Sequence, residues 1–489
     1  MRKLFSSRTP ILSYGVWLVF GGLVFLYLNL FRNALIDDAF ITLRFVKTLL
    51  SSGTWGFFPG TVANSATSPL NILLLAGVSL FVGPTLHAAV WLYLIALLGT
   101  AILLVQLSLR LTGSQLHGWL ATFALVFNPL LISTMGLESI LFGAFLVLAI
   151  YCFHTQRWIL LGGALGLLTL CRPEGALFFL VFLLFIPDHR ARLRAAMTYG
   201  LSIAPWYLFS WLFLGSLVPD TFFIKTEQEG WYQWDFFNGI PSLYYYVYTA
   251  GTMLSFVFLP LFGLLFHKRI KENSVLVLIW MAGLIHFVGY SALRVPPFHW
   301  YYAPQVITII LFGSLALGVL YQSSRAAWQR SIWGTLTAMY FFIPLAGMAL
   351  LLTRDSFMVR EMPIHSNWGT HEQYREIGLW LNERHGTGTI RLVAGEIGTL
   401  AYYCDCRLLD RFSDRRWLQD QIKDRVSHPG IVTTLWRINF AFYSPPEFPP
   451  DDYVLRAYFA EPVPDVEAIM KWRTSTTWIE DGYLLLSRE

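Results

Sequence analysis

The sequence predicts a polytopic α-helical membrane protein that carries a water-exposed α/β domain at its C-terminus. Hydrophobic residues make up 55 % of the 489-residue chain and charged residues 13 %, about half of the roughly 25 % that soluble domains average. The mean hydropathy is +0.53. More than half of the charged residues lie after residue 353, so we assign residues 1–352 to the membrane and residues 353–489 to a soluble domain.

This composition excludes several classes of protein. A purely soluble enzyme would be more highly charged, and a disordered or fibrous protein would lack the long apolar runs. The net charge of +5 is small for so long a chain and does not indicate a nucleic-acid partner. The lipid bilayer is therefore the first partner that the sequence predicts.

The apolar runs define the membrane spans. A spanning helix needs about 20 apolar residues, and we count eleven candidate spans. They are residues 12–31, 86–109, 118–133, 138–153, 158–171, 174–187, 196–214, 244–266, 274–293, 301–321 and 332–352. Residues 69–83 are also apolar, and we interpret them as interfacial or re-entrant, because an extra span there would invert every later loop.

The distribution of basic residues sets the expected orientation. The first span follows a short basic segment and lacks a clear cleavage site, which is typical of an uncleaved signal anchor. With the N-terminus in the cytoplasm, the inner loops hold about twice as many Lys and Arg residues as the outer loops. We therefore expect an inner (plasma) membrane protein whose loops 32–85, 215–243 and 294–300, and whose C-terminal domain, are extracytoplasmic.

The C-terminal domain alternates between helical and extended patterns. Tyr374, Ile377 and Leu381 share one face of a helix over residues 370–385, and residues 397–403 predict a short second helix. The strand candidates are residues 390–394, 407–409, 453–459 and 483–486. This alternation is typical of a small α/β domain.

The chain has four cysteines, too few for a disulfide scaffold. Cys404 and Cys406 are two residues apart, which on a strand places both side chains on one face. Because a bridge between them would be strained there, we expect both to be packing residues.

Two adjacent carboxylates, Asp37 and Asp38, follow the first span. A helix over residues 37–50 would place Asp37, Arg44 and Thr48 near one face, beside an apolar stripe, which indicates an amphipathic helix at the membrane surface. Burial and mutual repulsion raise the pKa of such carboxylates, and this suits a general base. The alternative is a solvated helix N-terminus, where acids interact favourably with the helix dipole.

Other ionisable residues gather at the predicted outer ends of the spans, where they are functional candidates. They are Glu138, the pair Arg172 and Glu174, and the pair Arg294 and His299. A guanidinium can hold a phosphate in bidentate fashion. The alternatives are mutual pairing of Arg172 with Glu174 across a helix break, and an interfacial aromatic anchor around His299.

The loop over residues 215–225 contains Asp220 and a lone Lys225, and by itself it would be an ordinary connector. The sequence contains no P-loop, no glycine-rich dinucleotide motif, no H-E-x-x-H and no G-x-S-x-G. Nucleotide-driven transport therefore has no support.

The candidate residues form an ordered series of short motifs on the predicted outer face. The series runs Asp37-Asp38-Ala39-Phe40-Ile41 with Arg44, Asn64-Ser65-Ala66-Thr67-Ser68-Pro69-Leu70, Gly136-Leu137-Glu138-Ser139, Arg172-Pro173-Glu174-Gly175, Pro219-Asp220-Thr221-Phe222 with Lys225, His299-Trp300-Tyr301, Gly395-Glu396-Ile397-Gly398 and Leu409-Asp410. It resembles the GT-C membrane glycosyltransferases, and within them the branch of the mycobacterial terminal β-(1→2)-arabinofuranosyltransferase. Residues after about 415 add nothing to the resemblance.

The resemblance implies a GT-C-type fold and an enzyme that passes a sugar, with arabinofuranose the leading choice, from a polyprenyl-phosphate donor to an extracytoplasmic glycan, lipid or protein. Asp37 or Asp38 would be the catalytic base. The donor phosphate would be bound by Arg172, Lys225, Arg294 and His299. The other substrate-binding candidates are Arg44, Glu138, Glu174, Asp220, Trp300, Tyr301, Glu396 and Asp410. A single displacement would invert the anomeric centre, whereas retaining chemistry would need a second carboxylate as nucleophile, for which Glu138 and Asp38 are the candidates. A divalent metal beside the acidic pair is a further expectation without a clear ligand set.

Two positions depart from the family pattern. Asn64-Ser65-Ala66 stands where a stretch with glycine and tyrosine is commoner, and Asp220 follows Pro219 where asparagine is commoner. Both departures concern the choice of donor or acceptor. A transporter or flippase of lipid-linked sugars is the main alternative, and it predicts polar residues at the membrane midplane and an internal repeat. An assembly scaffold, which would tolerate changes at the acidic pair, is the other alternative.

Overall fold

The computed structural model describes the whole chain except residues 1–9, 228–233, 242–248, 354–360, 365–366, 387, 428, 445–449, 462–467, 477–478 and 489. Most of the described chain is helical. The helices before residue 354 are α1 (Pro10–Asn29), α2 (Asp37–Ser52), α3 (Pro69–Val82), α4 (Thr85–Thr112), α5 (Leu116–Val126), α6 (Pro129–Ile132), α7 (Ser139–His154), α8 (Trp158–Cys171), α9 (Gly175–Phe185), α10 (His189–Phe213), α11 (Asp220–Glu227), α12 (Thr249–Ser255), α13 (Lys268–Lys271), α14 (Ser274–Leu293), α15 (Ala303–Ser323) and α16 (Ala327–Thr353), with 3-10 helices at Leu259–Phe266 and His299–Tyr302.

Within the described residues, four helical segments are long and apolar enough to cross a membrane: α4, α14, the segment His299–Ser323 and α16. Seven shorter apolar helices accompany them, so the chain is a multi-pass membrane protein. The predicted bounds 158–171 and 274–293 agree with α8 and α14. The count of eleven spans stays a prediction.

Three predicted spans differ from the helices observed. Helix α10 begins before residue 196, because the Asp188 side chain accepts a hydrogen bond from Ala191 N and starts the helix there. The span over 118–133 is interrupted, because Asn128 caps α6 with hydrogen bonds from two backbone N–H groups. The span over 244–266 is α12 followed by a 3-10 helix, and its first residues fall in 242–248, outside the described residues.

Helix α2 is more deeply enclosed than a helix on the membrane surface would be. It packs against α3, α4 and the C-terminal helix α18 (Ile397–Cys404). The predicted polar face is buried, since Arg44 is 1 % and Thr48 0 % exposed. The contact with α18 requires glycine at residue 398, because a Cβ atom there would lie 2.1 Å from the backbone oxygen of Asp37. Residues 69–83 form a helix, α3, and whether it crosses the membrane stays open.

The C-terminal part contains a mixed five-stranded sheet in the order β2-β1-β3-β5-β4. The strands are β1 (Thr389–Val393), β2 (Arg407–Leu409), β3 (Tyr453–Tyr458), β4 (Ala468–Thr474) and β5 (Gly482–Arg488). Strand β1 pairs in parallel with β2 and β3, and β5 is antiparallel to β3 and β4. The helices of this part are α17 (His371–His385), α18, α19 (Arg416–Ser427) and α20 (Ile431–Asn439).

Most of these C-terminal elements agree with the sequence pattern, but β4, α19 and α20 were not predicted. Strand β4 lies at the sheet edge and is exposed along most of its length, so it lacks the alternation of apolar and polar residues that marks a half-buried strand. The proposed boundary at residue 353 adjoins residues 354–360, which lie outside the described residues.

The expectation for Cys404 and Cys406 was wrong, because the structure joins them by a disulfide. The expectation assumed an extended chain. Asp405 instead adopts a left-handed conformation with φ of 55°, which turns the chain and brings the two Cα atoms to 5.0 Å.

Candidate active site

A cavity of about 480 Å³ lies where α2, the start of α3, the break between α8 and α9, and the ends of α11 and α14 meet. This volume falls within the range of small-molecule sites. Its polar lining residues are Asp38, Thr42, Ser65, Thr67, Ser68, Glu138, Arg172, Glu174, Thr221, Lys225, Tyr290, Trp300 and Tyr301. Seven of the fourteen sequence-predicted site residues therefore meet in one place: Asp38, Glu138, Arg172, Glu174, Lys225, Trp300 and Tyr301.

The two carboxylates of the acidic pair face different surroundings. Asp38 lines the cavity, whereas Asp37 is not part of its lining. The Asp37 carboxylate accepts hydrogen bonds from Gly398 N at 2.9 Å, Thr399 N at 2.7 Å and Thr399 Oγ1 at 3.0 Å. It therefore binds the N-terminus of α18, and it joins α2 to the C-terminal part.

Burial raises the pKa of both carboxylates. The pKa of Asp37 is raised to about 7, although the N–H groups of Gly398 and Thr399 partly offset the effect of burial. Burial also raises the pKa of Asp38, and the nearby positive charge of Lys225 counteracts part of that rise. A carboxylate with a raised pKa binds a proton more strongly, which is the property that a general base needs.

Lys225 projects from α11 into the cavity among aromatic rings. Its Nζ atom lies 4.3 Å from the ring centroid of Phe298 and 5.2 Å from that of Phe412. Burial lowers the pKa of Lys225, and the charge of Asp38 partly restores it. Among the described residues the ammonium group makes no ion pair, so its charge is available to an anionic ligand.

Arg172 also lines the cavity, but its charge is already compensated. Its Nη1 atom lies 2.7 Å from Glu138 Oε1, and its Nε atom donates to Glu174. Its Nη2 atom donates to Tyr290 Oη at 3.3 Å, and its guanidinium lies over the Tyr301 ring. The mutual pairing of Arg172 and Glu174 considered from the sequence is thus confirmed.

The two carboxylates around Arg172 are both buried, with side chains 7 % exposed. Glu174 also lies 3.6 Å from the Nε2 atom of the buried His286. Arg172 is therefore compensated by two carboxylates, and the cluster offers little net positive charge to a phosphate.

Two residues predicted to bind the donor phosphate do not line the cavity. The Arg294 side chain is 80 % exposed and its Nε atom lies 3.6 Å from Asp235 Oδ2. It points outwards because Arg294 ends α14 in a left-handed conformation, while its neighbours Leu293 and Val295 line the cavity. His299 is buried beside Trp300, outside the lining residues.

Asp220 is a structural residue behind the cavity. It forms a bidentate ion pair with Arg415, with distances of 2.6 Å and 2.9 Å, and accepts a hydrogen bond from Ser216 Oγ at 3.1 Å. Its N–H donates to the backbone oxygen of Asn64 at 2.7 Å. Asn64 and Asp220 therefore meet in one buried network, while Ser65 and Ala66, which belong to the first departure from the family pattern, line the cavity.

Two further predicted residues, Arg44 and Asp410, stabilise the structure around the cavity without lining it. Arg44 donates to Phe57 O at 2.6 Å and pairs with Asp405. These contacts direct its guanidinium away from the cavity. Asp410 accepts hydrogen bonds from Phe412 N at 2.8 Å and Ser413 N at 3.0 Å, which turns Phe412 towards the cavity, and burial raises its pKa to about 6.

Glu396 lies on the α18 side of Asp37. It accepts hydrogen bonds from Trp368 N at 2.7 Å and Tyr374 Oη at 2.6 Å. Burial, and then the charge of Asp37, raise its pKa well above its usual value. Glu396 is therefore placed to support the junction and does not line the cavity.

The sequence did not single out the hydroxyl groups at the start of α3. Ser65 and Ser68 line the cavity and are 7 % and 5 % exposed. Neither hydroxyl has a hydrogen-bond partner in the part of the chain that the structure describes. Ser68 is the residue before Pro69 at the helix start, yet its side chain does not cap the helix. The Ser-Pro dipeptide before an apolar run is the signal that marks such a helix start.

The Asp37 carboxylate has little capacity left to bind a divalent metal. The Asp37 oxygens already accept three hydrogen bonds. Within the described ranges, no group of three or more His, Cys, Asp or Glu side chains could hold a metal ion. The described residues therefore supply no ligand set for a metal, and we derive no step that uses one; a metal beside the acidic pair stays a prediction.

Several solved proteins share the fold. ArnT from Cupriavidus metallidurans, bound to undecaprenyl phosphate, matches with a TM-score of 0.59 and 12 % identity over 97 % of this chain and 98 % of that chain. The Archaeoglobus fulgidus oligosaccharyltransferase matches with a TM-score of 0.52 and 11 % identity over 90 % of this chain and 69 % of that one.

A third match is the mycobacterial arabinofuranosyltransferase AftD, with a TM-score of 0.52 and 14 % identity, over 90 % of this chain and 35 % of AftD. No protein-family model and no curated protein sequence matches the chain. At these identities the similarity concerns the fold alone, which the chain shares with these solved proteins.

Proposed function

We propose that this protein is an integral-membrane glycosyltransferase that transfers a sugar from a polyprenyl-phosphate donor to an acceptor at the membrane surface. The observation that carries the proposal is the cavity in which Asp38 and Lys225 face one ligand volume. A base and a cation at opposite ends of a reacting bond are what displacement of a phosphate from a sugar requires.

Asp38 is the general base of the proposed reaction. The acceptor hydroxyl oxygen attacks the anomeric carbon, and its proton passes to the Asp38 carboxylate. The bond between the anomeric carbon and the phosphate oxygen breaks, and polyprenyl phosphate leaves with the bonding electrons. This single displacement inverts the anomeric centre, and it needs no nucleotide because the lipid phosphate is the activated leaving group.

The phosphate has a suitable place at the start of α3. The first N–H groups of a helix lack partners within the helix and attract anions. The unpartnered hydroxyls of Ser65 and Ser68 lie at this helix end. Together with the Lys225 ammonium, these groups supply hydrogen-bond donors to the charge that develops on the leaving phosphate. In this assignment Arg172 orders its part of the cavity wall through Glu138, Glu174 and Tyr290.

The polyprenyl chain has an apolar route into the cavity. Ala176 and Leu177 of α9 and Gly289 and Leu293 of α14 all line its wall. At residue 289 a Cβ atom would lie 3.0 Å from a methyl carbon of Leu177, so glycine keeps this seam narrow and free of side-chain bulk. An isoprenoid chain that lies along the seam would place its phosphate beside the polar lining.

Arabinofuranose is the donor sugar that we propose, on the strength of the ordered sequence motifs. The fold similarity to AftD, named an arabinofuranosyltransferase, supports it, and the undecaprenyl phosphate bound to ArnT supports a polyprenyl-phosphate donor. We also propose the inner membrane, with a cytoplasmic N-terminus. The transporter alternative is not favoured, because two of the solved structures of similar fold are named as transferases and the ionisable groups gather at one end of the helices.

The test is the release of polyprenyl phosphate by purified protein supplied with a panel of polyprenyl-phosphate sugars and cell-envelope acceptors. We expect release with one sugar, retained in Asp37→Asn and lost in Asp38→Asn. The melting temperature of each variant establishes that it is folded. Release that survives in folded Asp38→Asn would contradict the assignment of the base.

A further inference from the structure

Helices α19 and α20 form a hairpin that packs on α11. Phe223 and Ile224 of α11 form an apolar cluster with Leu418 and Ile422 of α19 and with Phe440, which follows α20. The opposite side of α11 carries Thr221 and Lys225 into the cavity. The hairpin therefore supports the helix that bears the cavity's cation.

The outward face of α20 is apolar. The exposed fractions are 84 % for Ile431, 61 % for Leu435 and 50 % for Ile438, residues that share one face of the helix, and Val432 beside them is 65 % exposed. The small polar residue Thr433 is buried instead. A helix on a water-exposed surface shows the reverse pattern, and a contiguous apolar patch of this kind marks a surface that contacts lipid or protein.

The end of α20 is fixed to the end of α10. Trp211 Nε1 donates to the Ile438 backbone oxygen at 2.7 Å, and the Trp211 and Phe442 rings meet edge to face at 5.0 Å. The Asn439 side chain accepts a hydrogen bond from Val218 N at 2.8 Å. These contacts hold α20 beside the last turn of α10.

Helix α10 presents an apolar stripe that leads up to this junction. Leu201 is 71 %, Leu208 52 % and Leu212 48 % exposed, and Phe213 at the helix end is 71 % exposed. In a multi-pass membrane protein such a stripe faces lipid. The outward face of α20 continues this surface at the point where α10 ends.

We propose that α20 is an interfacial helix whose outward face is seated in the bilayer surface, at the boundary between headgroups and acyl chains. Such helices bury their apolar face roughly 5–10 Å into this boundary. The bilayer is the occupant that the structure favours, because α20 is fixed to the last turn of α10, whose exposed apolar stripe faces lipid. The membrane surface then fixes the hairpin, and through the apolar cluster it fixes the height of α11 at the cavity.

The test uses single cysteines labelled with bimane in phosphatidylcholine nanodiscs. The free native cysteines Cys152 and Cys171 are buried, so the label reports the introduced site. The variants are Leu435→Cys on α20, Leu212→Cys as the lipid-facing control and Glu383→Cys, on the exposed side of α17, as the water-facing control. We expect 5-doxyl phosphatidylcholine to quench most of the fluorescence at residues 435 and 212, and iodide to quench the label at residue 383.

Two outcomes would overturn the proposal. Quenching of the label at residue 435 by iodide, as strong as at residue 383, would place the face in water. Protection of residue 435 from both quenchers would mean that another protein chain covers the face. All three substitutions are at exposed positions, so each variant keeps its packing, and the melting temperature of the labelled protein establishes that it is folded.

Discussion

One face of helix α2 contributes to the candidate active site, and another face contacts the C-terminal part of the chain. On one face, Asp38, Ile41 and Thr42 line the cavity. On another face, Asp37 and Arg44 contact the C-terminal part, through Gly398, Thr399 and Asp405. Consecutive residues of a helix point about 100° apart, so a pair of neighbouring carboxylates is divided between the two tasks.

The two carboxylates differ in what their oxygens contact and not in the direction of their pKa shifts. Burial raises the pKa of both Asp37 and Asp38, so the pKa alone does not separate a base from a structural acid. What separates them is the use of their oxygens: Asp37 accepts three hydrogen bonds that join two parts of the chain, whereas Asp38 faces the ligand volume. Variants of the two carboxylates and of the cavity cation test this division of roles.

We expect Asp38→Asn to reduce turnover more than any other variant considered. The amide keeps the shape of the side chain but does not accept the acceptor's proton, so kcat falls by roughly 10²–10⁴-fold. The melting temperature stays within the error of the wild type, because no α18 contact is lost. Turnover within a few-fold of wild type would assign the base elsewhere, with Glu138 the next candidate in the cavity.

Lys225→Met removes the proposed cation while keeping most of the side-chain volume. Loss of a group that stabilises a developing anion costs roughly 10²–10³-fold in kcat, measured as release of polyprenyl phosphate. The matched control is Arg294→Met, since Arg294 is 80 % exposed and an exposed ion pair contributes only about 0–1 kcal/mol. Equal losses in both variants would contradict the division between cavity cation and surface cation.

The sequence predicted the fold class and many element boundaries because hydropathy and charge are local properties. The bounds of α8 and α14 follow from apolar runs that end at charged or polar residues. The caps at Asp188 and Asn128 moved other boundaries, since a single side-chain hydrogen bond decides where a helix starts. The exposed apolar face of α20 was missed because the pattern of a short helix does not reveal which side faces the protein.

The candidate site was predicted in part for the same reason. Motif order found Asp38, Arg172 and Lys225, but it does not state where a side chain points, and Arg294 was misplaced. The pair of Asp220 with Arg415 joins residues 195 positions apart, and no local pattern relates them. An ionisable residue near a membrane edge is thus a good pointer to the site, while its role depends on partners that only the fold brings together.

Asp37→Ala is expected to affect stability more than chemistry. It leaves the N–H groups of Gly398 and Thr399 without their acceptor, at a cost of about 1–3 kcal/mol for each unsatisfied buried group. We expect a lower melting temperature in detergent and near-normal turnover for each folded molecule. Asp37→Asn, which retains one acceptor oxygen, should lose less, and loss of turnover without loss of stability would reverse the roles of the two carboxylates.

The pH dependence of stability and of turnover should distinguish Asp37 from Asp38, although the changes are smaller than those of the variants above. The folded pKa of Asp37, about 7, lies above its ordinary value near 4, so the folded state binds more protons than the unfolded state between these limits. Its contribution to stability is therefore present below about pH 4 and is lost as the pH rises through about 7. Asp38 acts oppositely, because deprotonation above the usual carboxylate range makes it a base and raises kcat/KM. Between pH 5 and 8 we thus expect the melting temperature of the wild type to fall more than that of Asp37→Asn, while turnover rises in both proteins. Parallel curves of melting temperature against pH would show that Asp37 does not titrate at its contact with α18.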